Sequence, residues 1–273
     1  MVDMTDAAVA KPRDLPAWLL THGYAWATTS DVSRLLAVND EEVAPIAARW
    51  KANHQAFSPT PGGYVPIPTQ YRDWGTVPAR NFIDPLMKHL GHPYYVGFLS
   101  AAEHHGAAHQ RPQVFQVVTS GRVADRSFGR VRLGFITSAH TAQRPTVTVN
   151  TPTGTMNVST PEATIFDLVG QPRHGGGLSN IATVIGELLD DAKVDLDLLA
   201  TIAVEYPSAV VQRTGWMIEH VAVEIGKSLD LTRLEAVAAQ RTERTLLSTS
   251  GPRRGSAHRR WNVVVNTEVE SDL

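Results

Sequence analysis

The sequence contains no cysteine, which excludes a disulfide scaffold, cysteine zinc sites, iron-sulfur clusters and thiol catalysis together. It also lacks any run approaching the roughly 18 apolar residues of a membrane span. Residues Met1–Ala10 carry two Asp, no basic residue and no apolar core of a signal peptide. A cytoplasmic, soluble protein without membrane contact is expected. Charge of one sign is missing as well: 25 Lys and Arg face 27 Asp and Glu, for a formal net charge of −2 over 273 residues. That balance argues against indiscriminate binding to polyanions, because counterion release needs clustered cations. If nucleic acid is a partner, positive charge must be concentrated locally. What is present is 42% hydrophobic residues, enough for a small module followed by a larger domain.

Leu15 to Tyr24 reads as a short helix closed by Gly23, with Leu15, Trp18, Leu19 and His22 on one face. A Thr or Ser cap within Thr28–Asp31 opens a second helix that carries Val32, Leu35 and Leu36 inward. Asn39 and the acids Asp40, Glu41 and Glu42 then begin a third, running through Ile46 and Trp50 toward His54 with Pro45 inside it. Phe57 to Pro68 reads as two extended arms around a turn at Pro61-Gly62-Gly63. Three compact helices and a hairpin make the layout of a winged helix-turn-helix, with Thr29–Val38 as positioning helix and Asp40–His54 as recognition helix. A small helical cap that contacts only the rest of the chain fits the same pattern.

Tyr71 to Arg80 has the Gly, Pro and polar content of a linker. The expected organisation is α+β: a flexible tail at 1–12, a winged helix-turn-helix DNA-binding domain at 13–72, a linker at 73–80, and a larger mixed α/β domain at 81–273 with a small sheet and several C-terminal helices. In that second domain helices are expected at Phe82–Leu90 and Tyr94–His105, and strands at Val114–Thr119, Arg130–Thr137 and Thr146–Asn150. From Val158 the chain turns helical, with Ser159 or Thr160 as cap and Pro161 at the first position. His174–Gly177 reads as a flexible break. Further helices are expected at Leu178–Leu189, Leu196–Tyr206, Ala209–Lys227 and Leu231–Arg241, with a last strand at Trp261–Asn266.

The neutral total hides an uneven distribution. Residues 241–260 hold six Arg and one acid, and residues 111–144 hold six Arg and only Asp125, so each segment counts 6 − 1 = +5. Arg126, Arg130, Arg132, Arg253, Arg254, Arg259 and Arg260 are therefore candidates for a basic surface, since the guanidinium fork binds phosphate bidentately. A solvated face is the plainer reading of either run. Between Glu187 and Asp197 five acids meet one Lys.

Candidate chemistry is sparse. Glu103, His104, His105 and His109 invite a metal reading, but Gly106 interrupts the helix between the last two and no HExxH order is present. Asp195 and Asp197 resemble the paired carboxylates that hold Mg²⁺ in nucleotidyl transfer, yet they open a leucine-rich helix, where N-terminal acids are ordinary. Gly175–Gly177 lacks the Lys-Ser/Thr ending of a phosphate loop, and no GxSxG elbow occurs. Neither a catalytic residue, a metal nor a cofactor is expected.

Several segments together resemble a known family, the AbiEi-type antitoxins of type IV toxin-antitoxin (abortive infection) systems. They are Gly63–Pro66, Tyr94–Ala102 with His105-Gly106, Val114–Thr119, Val158–Glu162 with Phe166–Val169, Val211–Trp216, and Arg260–Asn266. The resemblance implies an antitoxin that is not an enzyme. Its winged helix-turn-helix would bind operator DNA upstream of its own operon and act as a transcriptional autorepressor, and its C-terminal domain would counteract a cognate nucleotidyltransferase-like toxin without a stable complex. Where family members carry several Arg around the recognition helix and wing, Ser58–Gly63 has none, and residues 1–80 count 7 − 8 = −1. The DNA-facing candidates are Arg49, Lys51, Asn53, His54 and Gln55, with Thr29, Ser30 and Arg34 for backbone contacts. A homodimer on the operator is compatible with the low local charge. The alternatives are a metal-dependent nucleic-acid-processing enzyme and a non-DNA-binding interaction module.

Overall fold

The computed structural model describes residues 11–108, 112–240 and 243–273; nearly all of the expected tail at 1–12 lies outside them. The chain is α+β and divides into two compact units, neither one continuous stretch. The first comprises Met1–Tyr95, Val117–Ala142 and Thr148–Asn157, and the second Val96–Gln116, Gln143–Val147 and Val158–Leu273.

The first unit opens with α1 (Leu15–Thr21), β1 (Ala27–Thr28), α2 (Thr29–Leu36) and α3 (Asp40–Ala52), followed by β2 (Ala56–Thr60) and β3 (Gly63–Pro66). The helices start where side chains satisfy free backbone N–H groups. Thr28 accepts from the Asp31 amide while the Asp31 carboxylate accepts from the Thr28 amide at 2.9 Å, a reciprocal capping box. Asn39 and Glu42 repeat the device at α3, with the Glu42 carboxylate accepting from the Asn39 amide at 2.9 Å. Leu15, Leu19, Val32, Leu35, Val43, Ile46, Trp50 and Tyr64 close one apolar core, and the Trp50 indole donates to the Pro12 carbonyl at 2.8 Å. Each such aliphatic side chain contributes about 1.5–3 kcal/mol on burial. Thr28→Ala should cost about 1 kcal/mol through loss of the cap, read as a lower urea midpoint at unchanged slope.

The strands order as β1-β3-β2, all antiparallel. Gly63 is required there because a Cβ at that position would lie 2.2 Å from the Trp26 ring. Residues 73–80 are included in the first unit, with Thr76, Val77 and Ala79 buried. After them come α4 (Ile83–Leu90), β4 (Tyr94–Val96) and α5 (Phe98–His104). The single helix expected over Tyr94–His105 is thus a strand and a helix. The β-forming Tyr-Tyr-Val run pairs in a sheet, and the chain turns at Gly97 and Phe98, the latter at φ +53°.

The remaining strands are β5 (Phe115–Thr119), β6 (Arg126–Phe128), β7 (Val131–Thr137), β8 (Thr146–Thr151) and β9 (Gly154–Ser159), and the six-stranded sheet runs β6-β7-β5-β4-β9-β8. Val158 and Ser159, read as the start of a helix, end β9 instead, and Val96 pairs in parallel with Val158. The β2–β3 hairpin is packed by rings: Phe57 lies 5.3 Å from Phe82 and 5.4 Å from Phe128, between centroids.

The second unit is mainly helical: α6 (Pro161–Gly170), α7 (Leu178–Asp190), α8 (Leu196–Ile202), α9 (Ser208–Glu224) and α10 (Thr232–Ala238). A small sheet of β10 (Thr245–Leu246), β11 (Ser256–His258) and β12 (Val263–Val265) has the order β10-β12-β11. Helix α6 begins as its sequence dictates, with Thr160 accepting from the Ala163 amide and Pro161 at its first position. Of the break expected at His174–Gly177, the first two residues belong to a 3₁₀ turn, Pro172–Gly175, and Gly176 and Gly177 follow it at φ +74° and +99°. Among the described residues no helix is long and apolar enough to cross a membrane.

Candidate nucleic-acid interface

Helices α2 and α3 are joined by Ala37, Val38 and Asn39, with Ala37 in the left-handed region at φ +52°. Burial of Val43, Ile46 and Trp50 fixes the inner face of α3. Glu41, Pro45, Ala48 and Ala52, at i, i+4, i+7 and i+11, therefore form its outer face and are exposed, with exposed Arg49 and Lys51 on the flanks. Most of that face is short, which lets the helix backbone approach a groove closely while the flanking cations reach further. The acid at Glu42 is spent on the cap of α3, and Asp31 on the cap of α2 and a 2.9 Å ion pair with Arg34.

The remaining candidates differ in how free they are. Asn53, His54 and Gln55 lie beyond the last turn of α3, and each side chain is engaged with main chain. Asn53 donates to the Arg49 carbonyl at 3.0 Å, His54 Nδ1 bonds the Arg72 carbonyl at 2.8 Å, and Gln55 donates to the Arg13 carbonyl at 3.3 Å. Thr29 holds α2 against the hairpin, its amide donating to the Gly62 carbonyl at 3.0 Å and its hydroxyl 3.5 Å from the Tyr64 hydroxyl. Ser30 is exposed at the start of α2.

The arginine-rich segments belong to different units. Arg126, Arg130 and Arg132 lie in or beside the β6–β7 hairpin of the first. Arg126 is half-buried and donates to the Pro59 carbonyl on β2; burial pulls its guanidinium below its usual range. Arg130 sits 5.8 Å over the Trp74 ring, and Arg132 is exposed. Arg253, Arg254, Arg259 and Arg260 lie around β11 in the second unit. Arg260 is held by Glu235, at 2.7 Å, and by Glu219; the Glu235 hydrogen bond foremost, then that of Glu219, keeps its guanidinium above the usual range. Arg253, Arg254 and Arg259 are exposed and make no ion pair among the described residues. Arg111 and Arg241 lie outside the described residues.

Of the side chains weighed for metal or catalytic chemistry, His105, Asp195 and Asp197 are used structurally. His105 Nε2 bonds the Ser159 carbonyl at 2.7 Å, and Lys193 donates to the His105 carbonyl at 2.5 Å. Asp195 caps α8, accepting from the Asp197 and Leu198 amides at 2.9 and 3.0 Å, and Asp197 pairs with Arg233 at 2.6 Å. Among the described residues no three His, Asp or Glu side chains group as a metal site, and His109 lies outside them. Burial lowers the pKa of both His104 and His105 below the ordinary 6.5. Unfolded imidazoles then take up protons before folded ones. The stability that these two neutral imidazoles contribute to the second unit should be fully present above pH 6.5 and be lost progressively as pH falls from there through the lowered folded values. Melting at several pH values should show this decline, and His105→Asn should flatten it.

Four of the segments singled out in the sequence meet in pairs. The Ser159 hydroxyl donates to the Val96 carbonyl at 3.4 Å, joining Tyr94–Ala102 to Val158–Glu162. Gly215 on α9 faces the buried Trp261 ring, to which a Cβ would come within 2.2 Å, joining Val211–Trp216 to Arg260–Asn266. Sequence reading missed two features here. One is the clamp of Arg126 on the hairpin, which no spacing signals. The other is the short outer face of α3, which a helical wheel of Asp40–Ala52 does show.

Residues 95–220 match the family model of the AbiEi antitoxin C-terminal domain. No curated protein matches the chain. Among solved structures, the crystal structure of the RV2827C protein from Mycobacterium tuberculosis is similar, with a TM-score of 0.66 at 15% identity over 98% of this chain and 94% of that one. At that identity the likeness establishes the fold alone.

Proposed function

We propose, from the membership of residues 95–220 in the AbiEi antitoxin C-terminal domain family, that this antitoxin chain also binds operator DNA and represses its own operon. In this reading α1–α3 and the β2–β3 hairpin form a winged helix-turn-helix, α3 enters the major groove, and the hairpin is the wing. The observation that carries it is the outer face of α3, short-chained from Pro45 through Ala48 to Ala52, set out from α2 by a three-residue turn and flanked by Arg49 and Lys51. Alanine methyls at Ala48 and Ala52 suit apolar contact with thymine methyl groups, and the two cations suit phosphate or guanine contact. Thr29, Ser30 and Arg34 supply backbone contacts at the start and flank of α2. Because the local charge is low, a dimer on repeated half-sites provides the affinity.

The second unit counteracts a nucleotidyltransferase-like toxin, with Arg253, Arg254 and Arg259 as its exposed cations. No catalytic step is assigned to the chain. The test of the DNA-binding half is a gel shift with the DNA upstream of its own gene. A sequence-preferring shift at low salt that weakens as salt rises is expected. No preferential shift, together with no promoter response in cells, overturns this half.

A further inference from the structure

We propose that the first unit contains a binding site for a small, neutral, planar molecule that carries an N–H donor. The site is a cavity of about 280 Å³ walled by Leu20, Tyr24, Val65, Tyr71, Val77 and Asn81 among others. All of its lining residues belong to the first unit. The volume lies just below the ~300–1,000 Å³ range of small-molecule sites, which fits one or two fused rings.

Three observations define the ligand. No charged residue lines the cavity, so an ion entering it would lose hydration without gaining a counter-charge, and a neutral molecule is selected. The walls combine aliphatic side chains and two tyrosines with the polar Gln70, Asn81 and Thr153, and tyrosine rings are surfaces on which flat aromatic molecules pack. Asn81 is 7% exposed, and its carboxamide oxygen has no hydrogen-bond partner among the described residues. Its backbone carbonyl, by contrast, accepts from the Thr153 hydroxyl at 2.7 Å, which anchors the residue in place. A buried acceptor without a partner is rare in native proteins and costs free energy until a donor reaches it. Asn81 lines the cavity, and rotation of its carboxamide about the last side-chain bond would present that oxygen to an N–H on the ligand.

The cavity also gives the ligand a means of action. Leu20 is in the last turn of α1 and Val65 is in β3, so a molecule filling the space ties the hairpin to the first helix. Binding to the folded chain alone raises its stability by mass action.

Indole and benzamide are suitable probes, titrated into the full chain by calorimetry and by thermal melting. Saturable binding of at least one and a concentration-dependent rise in Tm are expected. N-methylindole, which keeps the shape of indole and lacks the donor, should bind at least tenfold more weakly than indole. If benzamide alone binds, N,N-dimethylbenzamide takes that place. Asn81→Leu removes the acceptor, and Leu20→Trp fills the space from a half-exposed position, so that one variant remains informative if the other does not fold. Each should weaken binding at least tenfold with an unchanged circular dichroism spectrum. No saturable binding of either probe at millimolar concentration would mean a cavity that holds water only, and the proposal fails. Binding unchanged in the folded variants places the probe elsewhere and also overturns it. Equal affinity for the methylated and unmethylated probes overturns the role of Asn81. None of these readouts uses DNA, so they stand apart from the test of operator binding.

Discussion

Gly215→Val should destabilise the second unit by about 3 kcal/mol or more, because inserted core volume displaces packed side chains. For a chain of this size that corresponds to a fall in Tm of about 6–12 °C. The cause is local: a Cβ at Gly215 would stand 2.2 Å from two carbons of the Trp261 ring. That ring has no easy retreat, since it is fully buried and its indole donates to Glu219 at 2.7 Å. Even Gly215→Ala should be costly, and much less so in a Trp261→Leu background, where the opposing atoms are gone. Thermal melts of the two single variants and the double variant measure this coupling. Equal costs in both backgrounds would show that α9 and the strand after Trp261 do not pack as described.

The second large effect is on DNA. Changing both Arg49 and Lys51 to alanine should lower operator affinity on the order of tenfold to a hundredfold and reduce the salt slope by about two, one for each phosphate left without its cation. Stability should hardly move, since both side chains are exposed on the flanks of α3. Asn53→Ala should act in the opposite proportion. Its amide secures the C-terminal end of α3 at the Arg49 carbonyl, so folding suffers first and the salt slope stays. A gel shift over a salt series, paired with melts of the same proteins, separates the two kinds of residue. Equal affinity and slope in the Arg49/Lys51 variant would remove α3 from the interface.

How far the sequence could be read follows from where information is local. Helix starts are written in a few adjacent residues, so Thr28 with Asp31, Asn39 with Glu42, and Thr160 with Pro161 mark α2, α3 and α6 directly. Strand β4 was not legible, because three residues of Tyr-Tyr-Val cannot be told from a buried helical turn without knowing that Val158 lies beside them. The division into units was hidden for a related reason. The chain leaves the first unit after Tyr95 and returns to it twice, and composition cannot show a return. At the candidate interface, residue type pointed to Asn53, His54 and Gln55, since polar side chains at the end of a recognition helix expected to reach His54 suit base contact. Their use as caps and loop ties depends on the carbonyls of Arg49, Arg72 and Arg13, two of which are remote in sequence. Arg126 and Arg260 likewise count as free charge in a sum over the sequence, while in the fold one clamps a hairpin and the other is held by two carboxylates.

The role proposed for this chain is to relieve the effect of a toxin. The most direct test is growth of cells arrested by expression of the proposed nucleotidyltransferase-like toxin, with and without this chain supplied from a separate promoter that it cannot regulate. Growth should be restored by the native chain, restored equally by the Arg49/Lys51 variant, and abolished with Gly215→Val. A folded, expressed native chain that leaves the growth arrest unchanged would contradict it.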